Sequence, residues 1–140
     1  MKRIYFTDFD GTITTKDTCN AMVEKYAKGD WKKAVQGYDM GEMSTKKCAE
    51  IIFRNFHVTP QELATFMENI PVDESFTQFV KYVEQRGENL YILSDGFDFN
   101  LEIILHKLGL DKLKRFSNQL KHDNNNNWFM ETTFHSKTCD

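Results

Sequence analysis

The sequence has few cysteines and no long block of charge of one sign. Its three cysteines, Cys19, Cys48 and Cys139, lie far apart with no C-x-x-C pair, which argues against a disulfide framework or a cysteine-based zinc site. Lysine and arginine number 18 against 21 aspartates and glutamates, giving a formal net charge of −3. This balance favours neither nucleic acid nor an anionic membrane as a partner.

Long apolar runs are also absent. No stretch approaches the roughly 18 apolar residues that a membrane span needs, and Asp8 interrupts the N-terminal region before a signal-peptide core could form. With its unpaired cysteines, the chain is expected to be soluble and cytoplasmic. Its 140 residues are 40% hydrophobic and 14% aromatic, which is enough for one domain with a buried core.

The order of apolar patterns predicts an α/β fold with an inserted helical bundle. Two β-prone runs, Ile4 to Phe6 and Asn89 to Leu93, predict strands of a parallel sheet. The stretch between them predicts four short helices, and a helix start can be recognised at Asp17, Asp30, Ser44 and Thr59. Two more helices and a hairpin around the asparagine run 124–127 follow. We therefore expect a core formed by residues 1–14 and 73–140, and a helical insertion at 15–72.

Asp8 and Asp10 directly follow the first predicted strand. Two carboxylates at a strand end can both reach the crevice in which open α/β sheets bind ligands. A divalent cation would relieve their mutual repulsion and bridge to phosphoryl oxygens. One aspartate could then attack phosphorus while the other protonates the leaving oxygen and later activates water. A solvated Asp-Gly turn is the alternative, whereas a calcium loop is disfavoured because Phe6 would occupy its first ligand position.

Ser94, Asp95 and Gly96 follow the second predicted strand. A hydroxyl and backbone N–H groups in a glycine-containing turn can hold phosphoryl oxygens, and the following helix would add its N-terminal dipole. A plain turn or a helix cap is the alternative interpretation of Ser94. Because neighbouring parallel strands end at one edge of a sheet, we expect Ser94 to face Asp8 and Asp10.

With these two motifs and the helices between them, the sequence resembles the haloacid dehalogenase superfamily of phosphohydrolases, in particular its phosphoserine phosphatase group. The run from Ser94 to Phe99 and the later His135-Ser136 are similar to methionine-salvage phosphatases. The resemblance implies a haloacid-dehalogenase-like α/β core with a small helical cap. It also implies Asp8 as the nucleophile and Asp10 as the general acid and base.

The resemblance further implies a Mg²⁺ cofactor bound by Asp8 and by the carbonyl of Asp10, and phosphate binding at Ser94, Asp95 and Gly96. Asp17 falls where phosphoserine phosphatases carry a substrate-facing glutamate, although a helix cap is the favoured role for this residue.

Two features depart from the superfamily's pattern. Its members continue to a lysine that holds the nucleophile and to an acidic strand end that completes the magnesium site, yet here only Lys137 follows the hairpin. The carboxylate-binding arginine of phosphoserine phosphatases falls near Glu50 or Ile52, so Arg54 could replace it only by a shift. We therefore expect the C-terminal part of the fold to be missing, the first strand to be an open edge, and phosphoserine to be a doubtful substrate.

The sequence thus predicts magnesium-dependent hydrolysis of a small-molecule phosphate monoester through an aspartyl-phosphate on Asp8. The expected partner is a small phosphorylated metabolite, with neither nucleic acid nor membrane. A catalytically incomplete fragment, or a non-catalytic module that binds metal, phosphate or a partner chain, is the alternative. An open edge strand would favour self-association or cover by a second chain.

Overall fold

The computed structural model describes residues 1–132, so Phe134, His135, Ser136, Lys137 and Cys139 lie outside the described residues. The described chain forms four strands: β1 (Ile4–Thr7), β2 (Asn89–Phe97), β3 (Lys114–His122) and β4 (Trp128–Glu131). Its six helices are α1 (Thr18–Tyr26), α2 (Trp31–Asp39), α3 (Thr45–Arg54), α4 (Pro60–Glu68), α5 (Ser75–Gln85) and α6 (Asp98–Lys107). None of the helices in this range is both long enough and apolar enough to span a membrane.

The strands form a single sheet in the order β1-β2-β3-β4. β1 pairs parallel with β2 and β2 pairs parallel with β3, whereas β4 runs antiparallel to β3. The predicted α/β class and the hairpin of β3 and β4 are therefore confirmed. Within residues 1–132, β1 lies at the edge of the sheet.

β2 is longer than the sequence predicts. The apolar pattern ends at Leu93, but the strand continues to Phe97 with an irregular register between these two residues. β3 supports the extension, because Phe97 pairs with Asn118 and the Asn118 Nδ2 donates to the Asp95 carbonyl at 2.9 Å. The segment 94–96 is therefore an irregular part of the strand and not a turn, a difference that depends on pairing with a distant strand.

All six predicted helices are present, and most begin as their sequences indicate. The side chains of Asp17, Ser44 and Thr59 each accept a hydrogen bond from the N–H group three residues later, which caps α1, α3 and α4. Asp30 precedes α2 but makes no such bond. Its ψ angle of 21° differs from the extended backbone of a typical N-cap. The prediction that the Asp30 side chain caps α2 is therefore wrong.

The two faces of the sheet differ in what covers them. Because β1, β2 and β3 follow one another in space, right-handed crossovers place α5 and α6 on the same face. On this packed face Leu90 and Ile92 are buried, and Tyr5 meets Phe79 of α5 edge-on with ring centroids 5.4 Å apart. The other face, here called the exposed face, carries the partly exposed side chains of Ile4, Phe6, Leu93 and Phe116.

The chain leaves the sheet region before α1 and returns to it after α4, through two stretches that lie side by side. Thr14 and Val72 form an antiparallel bridge. The Thr15 N–H donates to the Pro71 carbonyl at 3.0 Å, and the Asp73 N–H donates to the Ile13 carbonyl at 2.8 Å. We call these paired stretches the neck. Beyond the neck, α4 packs against α6 and α3 packs against β4.

Candidate functional site

The loop after β1 turns sharply around a buried phenylalanine. The Phe9 carbonyl accepts hydrogen bonds from the N–H groups of Thr12, Ile13 and Thr14. The side chains of Phe9 and Ile13 are fully buried. Gly11 has a φ of 74°, a left-handed conformation that glycine adopts without steric cost. This turn separates the environments of Asp8 and Asp10, the residues on either side of Phe9.

Asp8 and Asp10 consequently have different surroundings. Asp8 is exposed, and its Oδ1 accepts the N–H of Phe9 at 2.7 Å. Asp10 is half-buried, and its Oδ1 accepts two hydrogen bonds from Thr18, from the backbone N–H at 2.7 Å and from the hydroxyl at 2.5 Å. The first residue of α1 therefore fixes one carboxylate of the pair.

Burial raises the pKa of Asp10 above its ordinary value, and the negative charges of Asp17 and Asp95 act in the same direction. The two hydrogen bonds from Thr18 oppose this rise, because they stabilise the ionised carboxylate. A carboxyl group with a raised pKa is suited to donating and accepting a proton near neutral pH.

The irregular part of β2 lies directly against Asp10. The Gly96 N–H donates to the Ser94 hydroxyl at 3.0 Å. A Cβ atom on Gly96 would lie 2.5 Å from the Asp10 Oδ2, 3.1 Å from the Ser94 Oγ and 3.3 Å from the Cys19 Sγ. Only glycine allows these three side chains to approach so closely at this position.

A cavity of about 840 Å³ opens beside these residues. It brings together four of the positions singled out from the sequence: Asp10, Asp17, Ser94 and Asp95. Gly96 lies against Asp10 and Ser94 but does not line the cavity, and neither does Asp8. Arg54 does not line it either.

The cavity has a polar end and an apolar wall. α2 and α3 supply most of the wall, including Trp31, Val35, Ile52 and Phe53. Five carboxylates line the cavity: Asp10, Asp17, Glu24, Asp39 and Asp95. No lysine or arginine of the described chain lines it.

Asp10, Asp17 and Cys19 place ligand atoms within 4.8 Å of one another. The two carboxylates are oxygen donors of the kind that Mg²⁺ prefers. The thiol is not, because burial raises the pKa of Cys19 well above its ordinary value and keeps the sulfur protonated. Asp8 does not belong to this cluster, while Asp17 also caps α1 through its bond from the Asn20 N–H at 2.9 Å.

The structure also shows site residues that the sequence did not single out. Thr18 holds Asp10, and the buried Asn100 of α6 donates from Nδ2 to the Thr18 hydroxyl at 3.1 Å. Cys19 lies beside the Asp10 Oδ2. Asp17 marks the start of α1 in the sequence and so indicates where Thr18 lies, but no local pattern indicates Asn100.

Curated relatives are similar in sequence to this chain over most of its length. A 2-hydroxy-3-keto-5-methylthiopentenyl-1-phosphate phosphatase of Brevibacillus brevis is 33% identical over 122 residues, which are 84% of this chain and 54% of the relative. The protein of the same name from Bacillus velezensis is 30% identical over 84% of this chain and 50% of its own length. The chain therefore spans about half the length of these relatives.

Solved structures share the fold. A substrate-bound phosphoserine phosphatase complex superposes with a TM-score of 0.71 at 20% identity, covering 94% of this chain and 63% of that one. A phosphoserine phosphatase with an analogue of the phospho-aspartyl intermediate gives a TM-score of 0.68 at 21% identity, with the same two coverages. The resemblance to this group is confirmed at the level of fold.

The family assignment follows from the chain's own sequence. The sequence model described as haloacid dehalogenase-like hydrolase matches residues 5–135, which include both strand-end motifs and the helices between them. The predicted superfamily is thus confirmed: this chain belongs to the haloacid dehalogenase-like hydrolases.

Proposed function

We propose that this chain hydrolyses a small-molecule phosphate monoester. The observation that carries the proposal is the meeting of Asp10, Ser94 and Gly96 at the ends of two adjacent parallel strands, beside a cavity large enough for a metabolite. This edge is where open α/β sheets bind their ligands.

In the proposed reaction, an Asp8 carboxylate oxygen forms a bond to phosphorus as the ester P–O bond breaks. Asp10 gives its proton to the departing alkoxide, so the alcohol leaves neutral. Asp10 then takes a proton from water as the water oxygen attacks phosphorus, and the bond from Asp8 to phosphorus breaks to release phosphate. Ser94, Asp95 and Gly96 would hold phosphoryl oxygens.

Mg²⁺ is the proposed cofactor, at Asp8 and the Asp10 carbonyl as the family resemblance implies. When bound, it would supply positive charge for the phosphoryl oxygens. Asp17 places a further carboxylate within 4.8 Å of the Asp10 carboxylate, in a cluster that does not include Asp8.

The cavity suggests what the alcohol part of the ester is like. Within residues 1–132 the cavity is lined by five carboxylates and by no lysine or arginine, a charge that would repel a substrate carboxylate and makes phosphoserine a poor fit. The apolar wall favours an uncharged chain, and the relatives' name describes a methylthio-substituted pentenyl phosphate. We propose that residues 15–72 act as the cap that covers this ester, with Trp31 and Val35 contacting its apolar part.

The proposed location is a reducing cytoplasm. Cys19 and Cys48, the cysteines within residues 1–132, are both free thiols.

Turnover of p-nitrophenyl phosphate with Mg²⁺ tests the proposal. Asp8→Asn should abolish turnover because the amide is a poor nucleophile, whereas Asp30→Asn changes an exposed aspartate outside the site and should not. Turnover that survives in Asp8→Asn would reject Asp8 as the nucleophile.

A second candidate is a binding module without catalysis. It is favoured by the position of Asp8, which is exposed and does not line the cavity. No turnover by the unmodified chain, together with Mg²⁺-dependent binding of inorganic phosphate in calorimetry, would support this candidate over the hydrolase.

A further inference from the structure

Asn100 is a buried polar residue for which neither the sequence nor the fold alone gives a reason. It lies in the first turn of α6 and is 0% exposed. Its Nδ2 donates to the Thr18 Oγ1 at 3.1 Å and approaches the Met22 sulfur at 3.8 Å. Its Oδ1 has no hydrogen-bond partner among the described residues. A buried amide with an unpaired oxygen lowers stability, so its presence calls for an explanation.

The contact with Thr18 determines the direction of the Thr18 hydroxyl. A hydroxyl has one proton to donate, and its oxygen can accept. Since Asn100 donates to this oxygen, the Thr18 proton is left for the Asp10 Oδ1, which lies 2.5 Å away. The backbone N–H of Thr18 donates to the same Oδ1, so Thr18 holds this oxygen with two hydrogen bonds while Asn100 orients the Thr18 hydroxyl.

The other oxygen of Asp10 is placed by this arrangement. Oδ2 lies against Gly96, where a Cβ would come within 2.5 Å of it, and beside the Cys19 sulfur at 3.9 Å. With Oδ1 engaged by Thr18, Oδ2 is the oxygen available to exchange a proton with a substrate in the cavity.

We propose that Asn100 is a positioning residue for Asp10, acting through the Thr18 hydroxyl to keep the Asp10 Oδ2 in place for proton transfer to the leaving alcohol. This inference rests on the proposed phosphatase function. It identifies a residue of α6 that this function needs, although Thr18 belongs to α1. Asn100 donates to Thr18 and does not line the cavity.

A loss of positioning should depend on the leaving group. p-Nitrophenolate leaves readily without a proton, whereas an alkoxide needs one, so an impaired Asp10 slows alkyl esters more. General acid catalysis typically contributes about 10²- to 10⁴-fold, so we expect the kcat ratio of n-butyl phosphate to p-nitrophenyl phosphate to fall about tenfold in Asn100→Leu. KM should change little.

Four further variants make the test specific. Thr18→Val should lower the ratio as Asn100→Leu does, and Thr18→Ser, which keeps the hydroxyl, should retain it. In the double variant with Asn100→Leu and Thr18→Val, the kcat ratio should fall no further than in either single variant, because both substitutions act through one hydroxyl. Ile104→Ala opens a cavity in α6 without touching Thr18, so it should lower thermal stability but leave the ratio unchanged. A ratio unchanged in Asn100→Leu, or equally lowered in Ile104→Ala, would overturn the proposal.

A measurement without turnover separates this inference from the phosphatase proposal. The Thr18 backbone amide proton should resonate downfield because it donates to a carboxylate at 2.7 Å. In Asn100→Leu we expect this NMR signal to move upfield as Asp10 leaves its position, with no such movement in Ile104→Ala. If no ester is turned over and the signal still moves, the phosphatase proposal fails while the positioning contact stands. An unmoved signal rejects the positioning role.

Discussion

The packed and exposed faces of the sheet are built from alternate residues of the same strands, yet they bury their apolar side chains to different extents. Ile92 on the packed face is 0% exposed beneath α5 and α6, whereas Ile4 and Phe6 on the exposed face are 58% and 64% exposed. Full burial of such a side chain contributes about 1.5–3 kcal/mol. The packed face should therefore account for most of the sheet's contribution to stability.

The exposed face is not disorganised despite this difference. Phe6 stacks on Tyr91 with ring centroids 5.7 Å apart, and Tyr91 stacks on Phe116 at 6.4 Å. These cross-strand pairs align three strands without requiring a covering layer. Alignment of the strands and burial of apolar side chains thus contribute separately to the stability of the sheet, and substitutions can distinguish the two.

The largest expected effect comes from the same substitution made on both faces. Ile92→Ala should lower the free energy of unfolding by about 2–5 kcal/mol because it leaves a cavity in the core. Ile4→Ala, on the exposed face, should change it by less than about 1 kcal/mol. Urea denaturation followed by circular dichroism measures both values. Equal losses would show that the exposed face is covered in solution.

The hairpin of β3 and β4 repeats the contrast at neighbouring positions. Trp128 is buried, and its Nε1 donates to the Val58 carbonyl at 2.9 Å, while Phe129 is 44% exposed. Trp128→Phe should cost about 1–3 kcal/mol, because it leaves that carbonyl unpaired. Phe129→Leu should fall within about 0.5 kcal/mol of the unmodified chain in the same denaturation experiment. A smaller loss for Trp128→Phe would indicate that water replaces the indole donor.

The buried carboxylate of Glu88, just before β2, provides a smaller, pH-dependent test. Glu88 accepts hydrogen bonds from the Arg86 side chain and from the Arg3 N–H, and the bond from Arg86 in particular holds its pKa below the ordinary 4.5. Because the folded-state pKa is lowered, the ionised group stabilises the fold above pH 4.5, and this contribution is lost as the pH falls through the lowered value.

The melting temperature should therefore fall more between pH 7 and pH 3 in the unmodified chain than in Glu88→Gln. The exposed Glu102 serves as the control, and Glu102→Gln should retain the original pH dependence. An identical pH dependence in all three proteins would contradict the role of Glu88.

A small change in stability is also expected for a substitution of Phe6 on the exposed face. Phe6→Thr keeps a strand-forming residue and should alter the unfolding free energy by no more than about 1 kcal/mol. We propose that the open edge of the sheet at β1, the strand that carries Phe6, mediates self-association, so the same substitution should lower the apparent mass at high concentration in sedimentation velocity. Met40→Thr, an exposed change away from the sheet, should not. Association that is lost only in Met40→Thr would place the contact elsewhere.

The sequence predicts the features that depend on local patterns. Thr59 and Pro60 indicate the start of α4, and the spacing of Leu63 and Met67 indicates its buried stripe, because capping and helical periodicity act within a few residues. The shared cavity of Asp10 and Ser94 was also predictable, since parallel strand ends meet at one edge.

Features that depend on distant residues were not predictable. The extension of β2 requires Asn118 of β3, and the position of Asp10 requires Thr18 and Asn100. The different exposure of Asp8 and Asp10 depends on how the chain turns around Phe9, which a strand-end motif does not specify. Each of these requires knowledge of which segments meet in space.

The neck has a consequence for how such a chain can change during evolution. Since Thr14 and Val72 pair directly, the chain leaves and rejoins the sheet region at almost the same point. A different helical module could be exchanged there without altering the strand order, provided that its contacts with α6, β4 and β2 and the hydrogen bonds to Asp10 were matched. The carboxylates at the strand ends could thus be retained while the helices that line the cavity are replaced.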